Sequence, residues 1–475
     1  LLAVVERRPK NPIFRNNLGN LMVEAGRMEE AEIHLREAVH LMPQLPETHY
    51  NLGNALKALD RLDEAVAAYT TAISLRPAFT KARINLGGVF VRREQYEEAL
   101  RNYDDAMRLD PASAELLDAR GVALQSLGRI DEGLESFRQA LAINPQLASA
   151  HRNAGLAMLM SGDFAAGWAE YEWRWRTDLL KDADRKFPYP AWQGECDPGG
   201  IVVWGEQGIG DRVLYAGMIP DLLAQGHRVV METDVRLRTL FERSFPGVVV
   251  VPKENPPHPE TSNADIRWHS ALANLGRYLR ADAASFPKRE SYLREDAARA
   301  AEYRAYLDTQ GKGPIVGISW GSRNPKLGRH KTLDLRAWAP ILETPGVRFV
   351  DLQYGDTAEE RAAVEAELGI ALTHVPDLDL REDIDGVSAL ISVCDLVISI
   401  SNTTVHLAAA LGRPTWVLVP ATAGNLWYWM RDTDHSPWYA SAVIFRQKTR
   451  GQWDEIIREV KSRLDEYLAG PRLGA

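Results

Sequence analysis

A glycine and a proline recur every 34 residues through the first third of the chain. The glycines are Gly19, Gly53, Gly87, Gly121 and Gly155, and the prolines are Pro9, Pro43, Pro77, Pro111 and Pro145. The same frame carries small residues at Ala38, Ala72, Ala106 and Ala140, and large ones at Leu35, Tyr69, Tyr103, Phe137 and Tyr171. A fixed period of this length is typical of solenoids of helix pairs, because one pair cannot bury its apolar face alone and must stack on its neighbours.

Each repeat contains two apolar-periodic segments, such as residues 48–59 and 62–75, which predict two antiparallel helices. Glycine and alanine let the helix axes approach, the aromatic residue is expected to fill the gap between neighbouring repeats, and proline ends the second helix. The pattern resembles the tetratricopeptide repeat, and the run Arg61-Leu-Asp-Glu-Ala65 is a typical turn into its second helix. We therefore predict an α-solenoid over residues 1–180, in which residues 1–8 look like the end of an earlier repeat.

Asparagine precedes the repeat glycine by two positions in four of the five repeats. These residues are Asn17, Asn51, Asn85 and Asn153, and Ala119 interrupts the series. A primary amide both donates and accepts hydrogen bonds, so a row of amides along a groove can hold the backbone of an extended peptide. The low helix propensity of asparagine favours this interpretation. The alternatives are a tolerated surface residue or a link between adjacent repeats.

The fifth repeat departs from the pattern. Arg174 replaces the expected alanine, Leu179 replaces the proline, and four aromatic residues are added. These aromatic residues are Trp168, Tyr171, Trp173 and Trp175. A terminal helix rich in aromatic residues predicts an apolar dock for the next domain, and the proline-containing run 187–192 predicts an extended linker.

From residue 200 onward, short apolar runs alternate with helical patterns. The predicted strands lie at 201–204, 228–231, 314–320, 348–352, 396–400 and 415–419. Strands that alternate with helices indicate parallel sheets, and the restart at 314 indicates two doubly wound α/β halves. We place them at residues 181–312 and 313–475. Such halves bind ligands in a cleft at the carboxyl ends of their strands.

A glycine-rich loop follows the first predicted strand and ends at Asp211. Its glycines, Gly205, Gly208 and Gly210, do not match the dinucleotide fingerprint. Asp211 stands at the start of a helix, where an aspartate is a good cap. It is equally placed to act as a general base that takes a proton from an attacking hydroxyl. The position alone leaves both roles open.

Two further segments of the second half predict an anion site. The loop after the strand at 314–320 carries Arg323, Lys326, Arg329, His330 and Lys331 and no acidic residue. The run Ser401-Asn-Thr-Thr404 opens a helix whose amides and dipole favour an anion, and His406 follows in its first turns. His406 has a core position as its alternative role. The D-x-D runs at 377–379 and 383–385 are interpreted as helix caps, and no metal site is predicted from them.

Composition excludes several classes of protein. A net charge of −9 argues against a general nucleic-acid binder, which needs a basic face. Cys196 and Cys394 are the only cysteines and lack metal-ligand spacing, so neither a disulfide framework nor a zinc site is predicted. No apolar run is long enough to span a bilayer. We expect a cytoplasmic protein without a membrane span.

These segments together resemble the GT-B glycosyltransferases of the heptosyltransferase-like type, fused to tetratricopeptide repeats. The likeness lies in residues 205–211, Gly317-Ile-Ser-Trp320 with Lys331, residues 401–414, and the tryptophan-rich runs 427–429 and 437–439. It implies a GT-B fold whose half at 181–312 faces the acceptor and whose half at 313–475 binds the nucleotide sugar. Members with this layout resemble bacterial flagellin O-glycosyltransferases, which transfer a nonulosonic acid from its CMP-activated form.

The resemblance assigns roles to residues of this chain. It implies that Asp211 is the catalytic base, with an inverting, metal-independent transfer and no cofactor besides the nucleotide sugar. Donor binding is predicted for Gly208, Gly210, Trp320, Arg323, Lys326, Lys331, Ser401, Asn402, Thr403, Thr404 and His406. Acceptor binding by a flagellin-like protein is predicted for Asn17, Asn51, Asn85 and Asn153.

One departure bears on the donor. Heptosyltransferases have an Asp-Thr pair at the nucleotide helix, where this chain has Ser401-Asn402. Loss of the carboxylate argues against ADP-heptose and leaves room for an acidic sugar. The alternatives are a repeat scaffold with a vestigial catalytic part, and transfer to a lipid-linked glycan.

Overall fold

The computed structural model describes residues 1–178, 180, 185–324, 328–422 and 424–470. Its residues form two compact units, Leu1–Ala157 and Met158–Ala475. The boundaries predicted at 180 and 312 stay predictions. Within the described ranges, no helix is both long enough and apolar enough to cross a membrane.

The first unit consists of paired helices, as the 34-residue period predicts. They are α1 (Leu2–Arg7), α2 (Pro12–Glu24), α3 (Met28–Leu41), α4 (Pro46–Ala58), α5 (Leu62–Leu75), α6 (Thr80–Arg92), α7 (Tyr96–Leu109), α8 (Ala114–Ser126), α9 (Ile130–Ile143) and α10 (Ala148–Met160), the last of which runs into the second unit. The repeat prolines follow the second helix of each pair by two residues, where no helical N–H is needed.

The repeat glycine is required by the large residue of its own repeat. A Cβ built on Gly53 would lie 2.7 Å from the ring of Tyr69, and one on Gly87 would lie 2.4 Å from the ring of Tyr103. Both rings are buried. The aromatic residue therefore packs on the first helix of its own pair, and Tyr69 also hydrogen bonds with Asn85 of the next repeat, in line with its expected place between neighbouring repeats.

The second unit begins with the end of α10, followed by α11 (Phe164–Tyr171) and a 3₁₀ turn at Glu172–Arg176. Trp168 is buried, its indole N–H donates to the carbonyl of Arg280 at 2.9 Å, and its ring contacts Trp427 at 5.2 Å between centroids. Gly276 leaves the space that this indole occupies. The predicted docking of this aromatic helix on the α/β part is confirmed.

The first sheet has four parallel strands in the order β3-β2-β1-β4. The strands are β1 (Gly200–Trp204), β2 (Arg228–Thr233), β3 (Val249–Pro252) and β4 (Ile266–Ala271). The helices that lie between β1 and the second sheet along the chain are α12 (Ile209–Ala216), α13 (Ile219–Ala224), α14 (Arg238–Ser244), α15 (Gly276–Leu279) and α16 (Ala297–Thr309). β1 is buried throughout, as a central parallel strand must be.

The second sheet has six parallel strands in the order β10-β9-β8-β5-β6-β7. They are β5 (Ile315–Ser319), β6 (Arg348–Asp351), β7 (Leu372–Thr373), β8 (Leu396–Ile400), β9 (Thr415–Val419) and β10 (Ala442–Arg446). Its helices are α17 (Gly328–Lys331), α18 (Ala339–Leu342), α19 (Ala358–Leu368), α20 (Ile384–Ser392), α21 (Thr403–Ala410) and α22 (Asp454–Ala469). This is the doubly wound order, with its switch point between β5 and β8. Helical repeats, followed along the chain by an α/β region with two parallel sheets, are consistent with a GT-B fold.

Candidate functional site

The glycine-rich loop runs from the end of β1 into α12 and places Asp211 in the first turn of that helix. The N–H of Gly208, the residue before α12, donates to the Asp211 carboxylate. Helix α12 packs against α21 of the second sheet. Gly210 lies at this contact, and a Cβ added there would come within 2.9 Å of the His406 ring. A glycine at 210 thus lets the Asp211 turn approach the helix that begins at Thr403.

The start of α21 is built around Asn402. Its side-chain oxygen accepts from the N–H of Thr404 at 3.0 Å, and its side-chain nitrogen donates to the Ser319 hydroxyl at 2.7 Å and to the Gly321 carbonyl at 3.1 Å. Asn402 therefore caps α21 and fastens it to the end of β5. This function differs from the predicted direct contact with a donor, which stays a prediction.

Lys331 belongs to the basic loop after β5, and its side chain points inward toward the start of α21. Its side chain is buried, and Nζ donates to the carbonyl of Ser401 at 3.1 Å. Burial lowers the pKa of Lys331 to about 8, and the Asp211 carboxylate acts in the opposite direction. A lysine in this state is still cationic at pH 7. It is a compact positive charge in a poorly hydrated place, where its effect on a phosphate is strong.

His406 is buried at the same point. Its ring stacks on Trp429 with 5.4 Å between centroids, and Nδ1 lies 2.9 Å from the Tyr439 hydroxyl. Tyr292 donates to the Val213 carbonyl and hydrogen bonds with Tyr439, so the Tyr439 oxygen is left to accept from Nδ1–H. Burial, with the nearby Lys331 charge, lowers the pKa of His406 to about 3. The imidazole is therefore neutral at pH 7.

Asp211 has an unusual environment for a carboxylate. The residue is half-buried, and desolvation by the surrounding atoms, followed by repulsion from Glu206, raises its pKa to about 6, although Lys331, the Gly208 N–H and Arg212 stabilise the charged form. An acid with a pKa near 6 is ionised at pH 7 yet accepts a proton more readily than an ordinary aspartate. This is the property that a general base needs.

A cavity of about 160 Å³ lies at the starts of α12 and α21, and Asp211, Lys331 and His406 are not among the residues that line it. Its wall includes Thr403 and Thr404 at the start of α21, Ile209 at the start of α12, Arg236 after β2 and Tyr354 after β6. Asp234 holds the Arg236 guanidinium through both carboxylate oxygens, at 2.9 and 3.0 Å. The cavity therefore has hydroxyls, a helix start and an oriented cation in its wall. Sequence reasoning did not find Arg236, because nothing in its local pattern marks the end of β2 as part of the site.

The structure does not bring every predicted donor residue to this place. Trp320 is a core residue of the second half, 2% exposed, with its indole N–H donating to Glu360 at 3.1 Å. Arg323 is exposed and approaches the Asp356 carbonyl at 3.4 Å. Lys326 lies outside the described residues. Ser401 is buried, and its hydroxyl accepts from the Trp429 indole at 2.8 Å.

The asparagines of the repeats form contacts between neighbouring helix pairs. Asn51 donates to Asn16 at 2.9 Å, Asn85 donates to Asn54 at 2.7 Å, and Asn153 donates to Asp118 at 2.9 Å. This is the link between adjacent repeats that was the alternative interpretation. Asn17 has an exposed side chain. Peptide binding by this series stays a prediction, and Asn17 is its most accessible member.

Of the two D-x-D runs, only the second caps a helix, at the start of α20, whereas the first stabilises the turn before it. Asp379 accepts from the N–H groups of Arg381 and Glu382, and Asp383 accepts from that of Gly386. Asp385 pairs instead with Arg243 on α14 at 2.7 Å. In the part of the chain that the structure covers, no three His, Cys, Asp or Glu side chains are grouped so that they could hold a metal ion.

Family models match the repeat region of the chain. They describe tetratricopeptide repeats at residues 1–46 and 46–79, and TPR repeats at residues 87–128 and 121–162. The repeats are thus tetratricopeptide repeats. Among solved structures, the chain is similar to MamA from Desulfovibrio magneticus RS-1, with 22% identity, 37% of this chain and 97% of that one covered, and a TM-score of 0.32. It is also similar to the TPR protein TTC0263 of Thermus thermophilus, with 23% identity, 36% and 92% coverage, and a TM-score of 0.32.

A curated relative is similar over a longer stretch. Protein FlbA of Caulobacter vibrioides is 35% identical over 328 residues, which are 66% of this chain and 54% of FlbA. The chain thus spans about half the length of that relative. The aligned stretch is longer than the region that the repeat models match, so the likeness extends into the α/β unit.

Proposed function

We propose that the chain is a nucleotide-sugar-dependent glycosyltransferase that modifies Ser or Thr hydroxyls of an acceptor protein. One observation carries the proposal: the packing of α12 against α21 puts a proton-accepting carboxylate, Asp211, beside a buried cation, Lys331, and the start of a helix. The segments that meet here follow β1, β5 and β8, so they stand at carboxyl ends of strands in both sheets.

The proposed chemistry uses these groups in sequence. Asp211 takes the proton of the acceptor hydroxyl as its oxygen attacks the anomeric carbon, and the bond to the leaving phosphate breaks. Lys331, Arg236 and the first N–H groups of α21 stabilise the negative charge that develops on that phosphate. Direct attack of this kind inverts the anomeric centre. Side chains and helix amides provide the charge stabilisation, and the proposed transfer has no metal step.

The nature of donor and acceptor is part of the same proposal. Absence of an aspartate at Asn402 fits a donor with its own carboxylate, such as a CMP-activated nonulosonic acid. Tetratricopeptide repeats on the same chain fit a protein acceptor better than a small molecule, because a solenoid offers an extended binding surface. We propose a flagellin-like acceptor and a cytoplasmic setting. The free thiols Cys196 and Cys394 fit such a reducing compartment.

A ligand screen tests the donor class. CMP, UDP, GDP and ADP are added separately to the protein, and the melting temperature is followed, because a ligand that binds the native state stabilises it. We expect CMP to give the largest shift. The acceptor is then incubated with the protein and a CMP-nonulosonic acid, and its intact mass is measured. A mass increase of one sugar supports the proposal, while no increase with any donor whose nucleotide binds contradicts it.

A non-catalytic scaffold is the second candidate, and the cap at Asp211 favours it. The hydrogen bond from Gly208 to the Asp211 carboxylate is one that a purely structural cap would make. Sugar transfer by the wild type excludes the scaffold, and Asp211→Asn then separates a base from a cap, because asparagine can still accept that bond but cannot take the proton. Loss of transfer with nucleotide binding retained indicates catalysis. Transfer at the wild-type rate rejects the base.

A further inference from the structure

A buried ion pair lies beside the proposed base. The guanidinium of Arg174 approaches the carboxylate of Glu206 at 3.0 Å, and the two side chains are 2% and 1% exposed. The Arg174 guanidinium also lies over the rings of Tyr171 and Trp175, at 4.6 and 4.5 Å from their centroids, and it donates to the side-chain oxygen of Asn274. Arg174 is therefore fixed on several sides, which is the condition under which a buried pair is worth keeping.

The pair acts on the glycine-rich loop that carries Asp211. Glu206 is the second residue of that loop, and its neighbour Gln207 donates to the Tyr171 hydroxyl at 3.0 Å. The carbonyl of Gln207 accepts from Arg212 at 2.9 Å. A loop with three glycines has many accessible backbone conformations, so side-chain contacts must select one of them. Residues 171–174 supply two of those contacts.

The sequence marks Arg174 as an exception to the repeat. It occupies the position of Ala38, Ala72, Ala106 and Ala140, which are all fully buried. The fifth repeat thus has a charged side chain where the preceding repeats have a methyl group. A buried arginine is expensive unless it is paired, so a purely packing role would be better served by the alanine.

We propose that Arg174 and Glu206 are positioning residues, which hold the glycine-rich loop so that the Asp211 carboxylate faces the acceptor hydroxyl. The proposal rests on the proposed role of Asp211 as the base. Neither residue touches the reacting atoms. Arg174 acts through Glu206, and Glu206 acts through the loop backbone and through its charge.

The charges around Asp211 make the role of Glu206 measurable. Groups that influence the Asp211 carboxylate are Glu206 in its own loop, Arg212 on α12 and Lys331 on α17, and Tyr215, Tyr428 and Tyr439 are close enough to interact electrostatically with it. Among the charged groups, only Glu206 is an anion in this set. Replacement of its carboxylate by an amide of the same shape removes the repulsion, so the pKa of Asp211 should fall.

The first measurement does not depend on activity. In the full chain, Glu206→Gln should lower the titration midpoint of the Asp211 carboxyl by about one pH unit. The titration is measured by carbon-13 NMR, and Asp211→Asn identifies the Asp211 signal by its loss. Hydrogen exchange of residues 205–212 should become faster in Arg174→Met. Arg277→Met, which breaks the exposed pair between Arg277 and Glu172, is the matched control and should change neither quantity.

The second measurement is transfer itself. Arg174→Met should lower kcat by about 100-fold, because small misplacement of a reacting group has a cost of that order. KM for the donor should change less than threefold, and Arg174→Lys should recover part of kcat. The acidic limb of the rate profile should move to lower pH in Glu206→Gln, as the carboxyl signal does.

The outcomes separate the two proposals. Hydrogen exchange and the Asp211 titration midpoint can change in the variants while the wild type transfers no sugar. In that case Arg174 and Glu206 still determine the position and the pKa of Asp211, and the proposed glycosyltransferase function is rejected. Transfer by the wild type, with both measurements and kcat unchanged in the variants, overturns the positioning role. Glu206→Gln keeps its shape and its acceptor oxygen for Arg174, so it provides the test if Arg174→Met does not fold.

Discussion

Asp211 is the residue whose protonation connects the site to pH. Its folded-state pKa of about 6 lies above the ordinary 3.8 of an aspartate. The native protein therefore holds more protons than the unfolded chain between about pH 4 and 6. The stability that comes from this group is complete below about pH 4 and is lost as the pH rises through about 6.

Asp211→Asn should remove that dependence. We expect the free energy of unfolding of the variant to rise relative to the wild type as the pH increases, with a gain of about 1–3 kcal/mol at pH 7. Loss of the anion also removes the partner of Lys331, which keeps the gain below the full value. Urea unfolding at pH 4 and at pH 7 measures the difference. Equal differences at the two pH values would contradict the raised pKa.

The pH dependence of transfer should report the ionisation of the same Asp211 carboxyl. Because Asp211 must be ionised and Lys331 must keep its proton, the rate should increase with pH through about 6 and decrease through about 8. His406 contributes to neither limb, since its pKa of about 3 leaves it neutral over this range. The midpoint of the rise is taken from kcat/KM measured as a function of pH. The control is that nucleotide binding stays saturable over the same pH range. A midpoint near 4 would show an aspartate without the predicted desolvation.

Local sequence pattern predicted some residues of the candidate site and missed others for a physical reason. Asp211, Lys331 and His406 follow strands or open helices, and those places are recognisable from local pattern. Arg236 and the pair of Arg174 with Glu206 depend on which segments meet in three dimensions. Trp320 shows the converse, because a tryptophan at a strand end can turn into the core as readily as into a cleft.

Among the helices, α6 provides a comparison of two adjacent glycines. A Cβ on Gly87 would lie 2.4 Å from the Tyr103 ring, whereas one on Gly88 has its nearest contact at 4.0 Å. Gly87→Ala should destabilise the repeats by about 1–3 kcal/mol through overpacking. Gly88→Ala should stabilise them by about 0.5–1 kcal/mol, since alanine is the better helix former. Chemical unfolding followed by circular dichroism measures both, and equal effects would mean that Tyr103 does not require the glycine.

The contact between helix pairs depends on Asn54. Its side-chain oxygen accepts from Tyr69 at 2.7 Å and from Asn85 at 2.7 Å. Asn54→Ala leaves two partly buried donors without this partner, so a loss of about 1–3 kcal/mol is expected. Gln139→Ala, at an exposed amide on α9 that donates to Glu135, is the control and should be near neutral. A neutral Asn54→Ala would show that water replaces the amide.

For the whole molecule, the periods of the sequence determined more of the fold than of the site. A 34-residue interval defines a helix pair, and the predicted strands at 201–204, 228–231, 396–400 and 415–419 agree with β1, β2, β8 and β9 within two residues. The strands β3, β4, β7 and β10 were not predicted. Strand order is also absent from local pattern, because it depends on which side each crossover takes.

Because the repeats and the α/β unit are parts of one chain, we predict that acceptor binding can be changed without a change in donor hydrolysis. If the repeats bind the acceptor, an acceptor protein whose modified Ser or Thr is replaced by Ala should compete with the normal acceptor and leave donor hydrolysis unchanged. Asn17 has an exposed amide on the first helix of its repeat, so Asn17→Ala should weaken that competition about two- to tenfold, the value of one lost hydrogen bond. Gln139→Ala, on the second helix of another repeat, should not.

The result that would contradict this division is equally specific. A short peptide with the target Ser or Thr can contact only a small part of a solenoid surface. It should therefore be modified with a much higher KM than the whole acceptor, and that KM should be insensitive to Asn17→Ala. Equal KM values for peptide and protein would place acceptor recognition in the α/β unit alone. In that case the repeats serve another partner, and the inhibition by the Ala-substituted acceptor should be insensitive to Asn17→Ala.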